Sequence, residues 1–214
     1  MNNKATTIKK YFDECCKDAK CTLDYTSDFS LLIAIMLSAQ CTDKKVNTVT
    51  KVLFSKYKSL EELNNAKFED ILNILNPLGL YKNKAKYLVQ IVDILINEYN
   101  GNVPCDKKAL MLLPGIGNKT ANVFLAEWCK IPEFPVDTHV NRVAKRLDLA
   151  NNSDSVLEVE KKLCKTFKEE EWIDLHHKFI HFGRNYCLAQ NPKCENCEIK
   201  QICKYYKKAF KVSK

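Results

Sequence analysis

Apolar residues recur at three- and four-residue spacing along nearly all of the 214-residue chain, and that periodicity predicts an all-α protein. Leu31 to Leu37 form an apolar run, expected to be helical behind Ser30 as N-cap and to continue through Ser38-Ala39-Gln40. Asp43 is expected to cap a second helix, on which Val46, Val49, Val52, Leu53 and Tyr57 keep helical spacing. Ser59 with Glu62 three residues later has the form of a capping box. Phe68, Ile71, Leu72 and Leu75 make another short stripe, which Pro77 stops. Beyond Gly79-Leu80-Tyr81, the residues Tyr87, Leu88, Ile91, Leu95 and Ile96 define a longer helix that ends at Asn100-Gly101. Further helices are expected after Asp106, over about 118–129 and 137–147, and near 156–167 and 172–186. The loop Lys130-Ile131-Pro132-Glu133-Phe134-Pro135 is the best break between the two halves.

Composition narrows the class. Apolar residues at 46% and charged residues at 28% are ordinary globular values, and only five Gly and six Pro argue against a turn-rich β protein. No apolar run reaches transmembrane length, and Met1-Asn2-Asn3-Lys4 does not open a signal peptide. An intracellular protein without a membrane partner is therefore expected, cytoplasmic if the source is prokaryotic, in a compartment where stable disulfides are uncommon. The eleven cysteines then need another explanation. Seven are scattered, at 15, 16, 21, 41, 105, 129 and 164, and most read as small buried hydrophobes. The other four crowd together as Cys187-x6-Cys194-x2-Cys197-x5-Cys203. The formal charge of +8 points to a polyanionic partner and is uneven. Residues 22–132 hold 13 Lys+Arg against 11 Asp+Glu, whereas 1–21 and 133–214 together hold 21 against 15.

One turn carries candidate chemistry. Leu113-Pro114-Gly115-Ile116-Gly117-Asn118-Lys119-Thr120-Ala121 joins two short helices through two glycines, which allow a tight turn and a close backbone approach to a ligand. The helix that follows offers unpaired N–H groups and a positive dipole end, suited to a phosphate. A nucleotide P-loop is excluded: Asn118 separates Gly117 from Lys119, the glycine spacing is wrong, and no strand precedes the turn. A lysine in the first turn of a helix sits where the dipole opposes its charge, burial would add to that, and an uncharged amine is what a nucleophile needs. The intervening helix travels roughly 17 Å and the loop after it can span roughly 23 Å, so Asp137 can return alongside Lys119. An amine and a carboxylate at helix starts beside a phosphate-binding turn suggest chemistry on a nucleic-acid backbone.

The hairpin Leu113–Ala121, then Val136-Asp137-Thr138-His139-Val140, then the C-x6-C-x2-C-x5-C run resemble the endonuclease III family of the helix-hairpin-helix DNA glycosylase superfamily. Leu31–Gln40 and Gly79-Leu80-Tyr81 also match in order, so the likeness covers about residues 20 to 206. The resemblance implies a six-helix domain over 22–132 carrying the helix-hairpin-helix. It implies a second helical domain built from 1–21 and 133–214, with a C-terminal [4Fe-4S] cluster loop. The expected activity is that of a bifunctional DNA glycosylase and AP lyase, acting as a monomer on double-stranded DNA with damaged bases or abasic sites. It would remove oxidised pyrimidines and nick 3′ to the abasic site by β-elimination through a lysine Schiff base.

Residue by residue, the resemblance makes Lys119 the nucleophile at C1′ and Asp137 the carboxylate that stabilises the cationic sugar. Because the target nucleotide must be flipped out, Leu80 would be the apolar wedge and Gln40 the polar plug. A core leucine and an ordinary helix-end glutamine are the plainer alternatives. Gly115 and Gly117 would grip a backbone phosphate, Lys193 would contact DNA, and Ser38 and His139 would line the base pocket. Cys187, Cys194, Cys197 and Cys203 would hold the cluster. Only one C-x2-C pair is present, which favours iron–sulfur over structural zinc. Arg142 and Arg184 are possible neighbours of the cluster, and His176, His177 and His181 read as packing or surface residues. The loop 188–193 has Lys193 as its single basic residue, which Lys204, Lys207, Lys208 and Lys211 could partly offset. Two other functions compete: a monofunctional mismatch glycosylase and a non-catalytic helix-hairpin-helix DNA-binding protein. Lys119 together with Asp137 speaks against both.

Overall fold

The computed structural model describes residues 3–210, and every regular element among them is helical. Helix α1 (Asn3–Cys15) buries Ala5, Ile8, Tyr11 and Phe12 along one face. Phe12 is fully buried, with its ring 5.0 Å from Phe179 and 4.8 Å from Phe182, which ties this helix into the core of the C-terminal part of the chain.

Helix α2 (Asp28–Leu37) buries every residue from Ser30 to Leu37, the signature of a helix enclosed on all sides. Its N-cap is Ser27, not Ser30; Ser30 lies one turn inside, where its hydroxyl accepts from the Ser27 N–H at 2.9 Å and completes a capping box. The helix stops at Leu37 rather than running to Gln40. Helix α3 (Asp43–Lys56) is capped by Thr42, which leaves Asp43 as the first helical residue, an acid favourably placed at a helix N-terminus. Before α4 (Leu60–Asn64), Ser59 accepts from the Glu62 N–H, but the Glu62 carboxylate bonds the Lys58 N–H at 2.6 Å, so the expected capping box is half formed. Helices α5 (Phe68–Leu75), α6 (Tyr81–Tyr99), α7 (Lys107–Leu112) and α8 (Asn118–Glu127) follow. After these come α9 (Thr138–Arg146), α10 (Val156–Thr166), α11 (Trp172–Asn185), two single 3-10 turns and α12 (Lys204–Ala209).

The chain divides into two compact units. Thr22–Ile131 forms one, with α2 packed against α3, α6 and α8 and a core running from Leu31 to Leu125. It holds the seven α-helices α2 to α8, the five-residue α4 behind Ser59 included, where the resemblance implies a six-helix domain. The second unit is built from Met1–Cys21 and Pro132–Lys214. There α11 packs on α1 and α9, around Phe12, Phe134, Phe167 and Phe179. Lys178 ties α11 to α1: its Nζ lies 2.7 Å from Asp13 and also 2.6 Å from Asp174.

One expectation fails for two cysteines. Cys105 and Cys129 are not isolated hydrophobes but form a disulfide, with Cα atoms 5.9 Å apart. The cause is topological: α7 and α8 pack against each other as a hairpin, so Cys105, two residues before the first, and Cys129, two residues after the second, are brought together.

Candidate functional site

In the unit Thr22–Ile131, Asp106 caps α7 by accepting from the Ala109 N–H at 2.8 Å, and the chain turns through Leu113-Pro114-Gly115-Ile116. Gly115 has φ +76°, and a Cβ there would stand 2.7 Å from Tyr87 Cδ2; this turn requires glycine on both counts. Gly117 differs. Its backbone is extended (φ −98°, ψ 178°), it is the N-cap of α8, and a Cβ there would meet nothing within 4 Å. Neither steric contact nor a positive φ demands a glycine at 117, and the space at the start of α8 is open. Gly117 brings no capping side chain to the first N–H groups of α8, and the first turn carries no acid, which suits an anion. Lys119, the second residue of α8, is exposed.

A second surface feature lies in the same unit. Leu80 is 57% exposed, which removes the core-leucine alternative. It is the N-cap of α6 with φ 59°, and Gln40, also exposed, has φ 56°. Left-handed backbone costs a side-chain-bearing residue about 1–2 kcal/mol. The turns carrying them lie side by side, since a Cβ on Gly79 would be 4.0 Å from both the Gln40 carbonyl oxygen and Cys41 Sγ. Ser38 is half-buried and donates to the Ile35 carbonyl at 2.7 Å, so its hydroxyl closes α2.

In the other unit, Asp137 caps α9, its Oδ1 accepting from the Val140 N–H at 2.8 Å. His176, buried, donates from Nδ1 to the Pro135 carbonyl at 2.8 Å and fixes the segment leading into Asp137. Burial holds His139 below the ordinary imidazole value; Asp137 opposes this, and Arg142 and Arg184 reinforce it. Arg142 links this region to the cysteine loop. Its Nη2 donates to the Gly183 carbonyl at 2.8 Å and lies 3.2 Å from His139 Nδ1, while Nε donates to the Cys187 carbonyl at 3.2 Å. Gly183 permits the close crossing of α9 and α11, for a Cβ there would stand 2.9 Å from His139 Cβ.

Cys187, Cys194, Cys197 and Cys203 are free thiols lining one cavity with Phe182, Tyr186 and Tyr205. Burial raises the thiol pKa of Cys194, of Cys197 (to about 11) and of Cys203, and neighbouring thiols of the set push each further up. Such a set favours the ionised form when a cation is bound among it. Among the described residues, no three or more His, Cys, Asp or Glu are grouped as they would be around one metal ion. Lys193 lies at the cavity edge, its Nζ 5.9 Å from the centre of the Tyr186 ring.

A family model described as HhH-GPD superfamily base excision DNA repair protein matches residues 33–169. The endonuclease III of Bacillus subtilis (strain 168) is 45% identical over 186 residues, covering 87% of this chain and 85% of that protein. The chain belongs to the endonuclease III family of the HhH-GPD superfamily. Two solved structures of this family are similar over nearly the whole length. A non-covalent endonuclease III–DNA complex has TM-score 0.91 at 45% identity, covering 99% of this chain and 100% of that one. A trapped endonuclease III–DNA covalent intermediate has TM-score 0.90 at 45% identity, covering 98% and 100%.

Several residues that shape this endonuclease III-family site gave no sequence signal. Arg146 was assigned nothing, yet it donates to the Leu188 carbonyl at 2.6 Å and the Ala189 carbonyl at 3.0 Å, lies 3.4 Å from Cys187 Sγ, and stacks over the Tyr205 ring at 4.2 Å. It therefore braces the cysteine loop more extensively than Arg142. Tyr87, behind Gly115, and Lys84, between the Gln40 and Leu80 turns, were also missed. Of the C-terminal lysines, Lys204 is paired with Asp148 at 2.8 Å, and Lys211 lies outside the described residues. Among the described residues, no helix is long and apolar enough to cross a membrane.

Proposed function

We propose that this protein is a bifunctional DNA glycosylase and AP lyase of base excision repair, which removes oxidised pyrimidines from duplex DNA inside the cell. The observation that carries this reading is the hairpin between α7 and α8. It combines a turn that only Gly115 can make, an open backbone at Gly117, and an exposed lysine amine one residue into α8. The endonuclease III whose DNA complex was trapped covalently shares 45% of this sequence, which supports a covalent step here.

In the proposed reaction the Lys119 amine attacks C1′ of the flipped nucleotide, and the C1′–N bond breaks with its electrons leaving on the base. A carboxylate oxygen of Asp137 stabilises the positive charge that develops on the sugar, as carboxylates do in glycoside hydrolysis. Opening of the sugar ring gives a Schiff base, which acts as an electron sink. Loss of a C2′ proton then expels the 3′ phosphate by β-elimination, and water releases Lys119. Gly115 and Gly117 would hold a phosphate beside the lesion, while Leu80 and Gln40 fill the gap in the stack. Ser38 and His139 belong near the base, and Lys193 contacts the DNA backbone.

The four cysteines suit a [4Fe-4S] cluster: four free thiols surround one space, with Arg146 and Arg142 holding the loop that bears Cys187. When bound, the cluster would supply structural order to this loop, and the lysine chemistry does not require it.

Borohydride trapping on duplex DNA containing an abasic site tests the reading, with iron and acid-labile sulfide assayed on the same protein. A covalent complex is expected from the unmutated chain and none from Lys119→Ala. Asp137→Asn should bind abasic DNA but excise bases poorly. Normal trapping by Lys119→Ala would remove that residue from the mechanism. Binding without any trapping would leave the monofunctional and the non-catalytic alternatives, which release of a base from duplex DNA tells apart.

A further inference from the structure

Gln40 and Leu80 are forty residues apart in sequence, and each stands on its own left-handed turn. Isolated turns of this kind would be poor tools for prying apart a base stack, because each could relax away from the DNA. One side chain ties them together. Lys84 lies in the first turn of α6, and its backbone N–H bonds the Leu80 carbonyl at 3.1 Å. Its Nζ crosses to the other turn, donating to the Ala39 carbonyl at 2.8 Å and lying 3.2 Å from Cys41 Sγ. The lysine thus grips the residue before Gln40 and the residue after it, from the same helical turn that Leu80 opens.

Burial separates this lysine from an ordinary DNA contact. Only 3% of Lys84 is exposed, so its amine is not available to a phosphate. A buried lysine whose hydrogen bonds all run to one neighbouring turn is there to hold that turn. We propose that Lys84 is a positioning residue that joins the Gln40 and Leu80 turns into one rigid double insert. In this role it sets the spacing at which plug and wedge enter the duplex, and so acts on nucleotide flipping rather than on the lysine chemistry. The inference rests on the reading above that Gln40 and Leu80 enter DNA.

The test compares the unmutated protein with Lys84→Met, Cys41→Ala, Leu80→Gly and Lys84→Met combined with Leu80→Gly. Two quantities are read: single-turnover trapping on an abasic site in duplex relative to single-stranded DNA, and the fluorescence of 2-aminopurine opposite an abasic analogue in duplex. Lys84→Met should lower the duplex-to-single-strand ratio about tenfold, the effect of losing one strong side-chain hydrogen bond, and should blunt the fluorescence rise. Cys41→Ala, which removes one partner of Nζ and leaves the helices intact, should lower the ratio by about two- to threefold. In the Leu80→Gly background, Lys84→Met should add less than about twofold, because its effect passes through the wedge. An unchanged ratio in both Lys84→Met and Cys41→Ala, equal losses on duplex and single strand, or a full Lys84→Met effect without Leu80 would overturn the proposal. If the unmutated protein fails to trap while its fluorescence response depends on Lys84, the catalytic reading falls and the positioning role stands.

Discussion

The disulfide between Cys105 and Cys129 makes a quantitative prediction about the hairpin. The bond spans 24 positions of sequence and encloses α7, the glycine turn and α8. Closing a loop of that size removes unfolded-state entropy worth about 3.5 kcal/mol at 25 °C in the chain-entropy treatment. With a urea dependence of about 2 kcal/mol per molar, Cys105→Ala combined with Cys129→Ala should lower the unfolding midpoint of the unit Thr22–Ile131 by between about 1 and 2 M. The chain has two tryptophans, and Trp128 lies in this unit beside Cys129, so a Trp172→Phe background makes Trp128 fluorescence the reporter of this transition. The background protein in denaturant without reductant should show two fewer titratable thiols than after reduction. Midpoints that agree within about 0.3 M would refute the reasoning, since that gap amounts to less than about 1 kcal/mol. It would mean either that the bond is absent in solution or that the hairpin is already closed in the unfolded chain.

The two hairpin glycines should part company on substitution. Gly115→Ala should destabilise the unit by at least about 1–2 kcal/mol from the left-handed backbone alone, whereas Gly117→Ala should cost less, about 0.5–1 kcal/mol for a poorer N-cap, yet bind abasic DNA about tenfold more weakly. Equal urea midpoints for the two, or undiminished DNA binding by Gly117→Ala, would contradict the geometry. A third expectation concerns acid. Burial raises the Asp13 carboxyl pKa, but hydrogen bonds from Lys178 and Lys9 outweigh it and hold the group below its ordinary value. The stability it contributes is therefore present above the unfolded carboxyl pKa of about 3.9 and is lost as pH falls through the lower folded value. The urea midpoints of Asp13→Asn and the parent should differ at pH 7 and converge toward pH 3, and a constant gap would refute the assignment.

What could be read from the sequence, and what could not, divides along physical lines. Helices with one buried stripe, such as α6 with Leu88, Ile91 and Leu95, are visible because their periodicity comes from their own side chains. Cap positions were placed one to three residues off at α2 and α3, where Ser27 competes with Ser30 and Thr42 with Asp43. Side-chain type alone does not decide between adjacent candidates; the extended backbone at the true cap does. The hairpin and the cysteine run were legible because their chemistry is fixed by local spacing. Residues acting across the fold were not: Arg146 reaches the Leu188 carbonyl from 42 positions away, and Lys84 the Ala39 carbonyl from 45. A lysine that ends up buried looks the same in a sequence as one that faces water. The disulfide was missed for the same reason, since it follows from the helical hairpin that brings its ends together.

Strain gives a further reason to take the Gln40 and Leu80 turns as functional surfaces. Among the described residues, six other than glycine have positive φ: Gln40, Leu80, Asn100, Lys130, Asp148 and Asn191. Asn100, Asp148 and Asn191 carry the short polar side chains that tolerate this backbone, and Asn100 also closes α6. Lys130 closes α8 as Asn100 closes α6, the Ile131 N–H bonding the Leu125 carbonyl at 3.0 Å, but Gln40 and Leu80 have no such part. A glycine at either position would remove the strain, and nothing in the core holds the exposed Leu80 side chain in exchange. On the proposed reading, the strain is tolerated for what the side chains present outward, an amide on one turn and an isobutyl group on its neighbour. Backbone strain of this kind persists where surrounding structure over-determines it. Here the over-determination is visible as the buried Lys84 bridge, which a surface of incidental loops would not need.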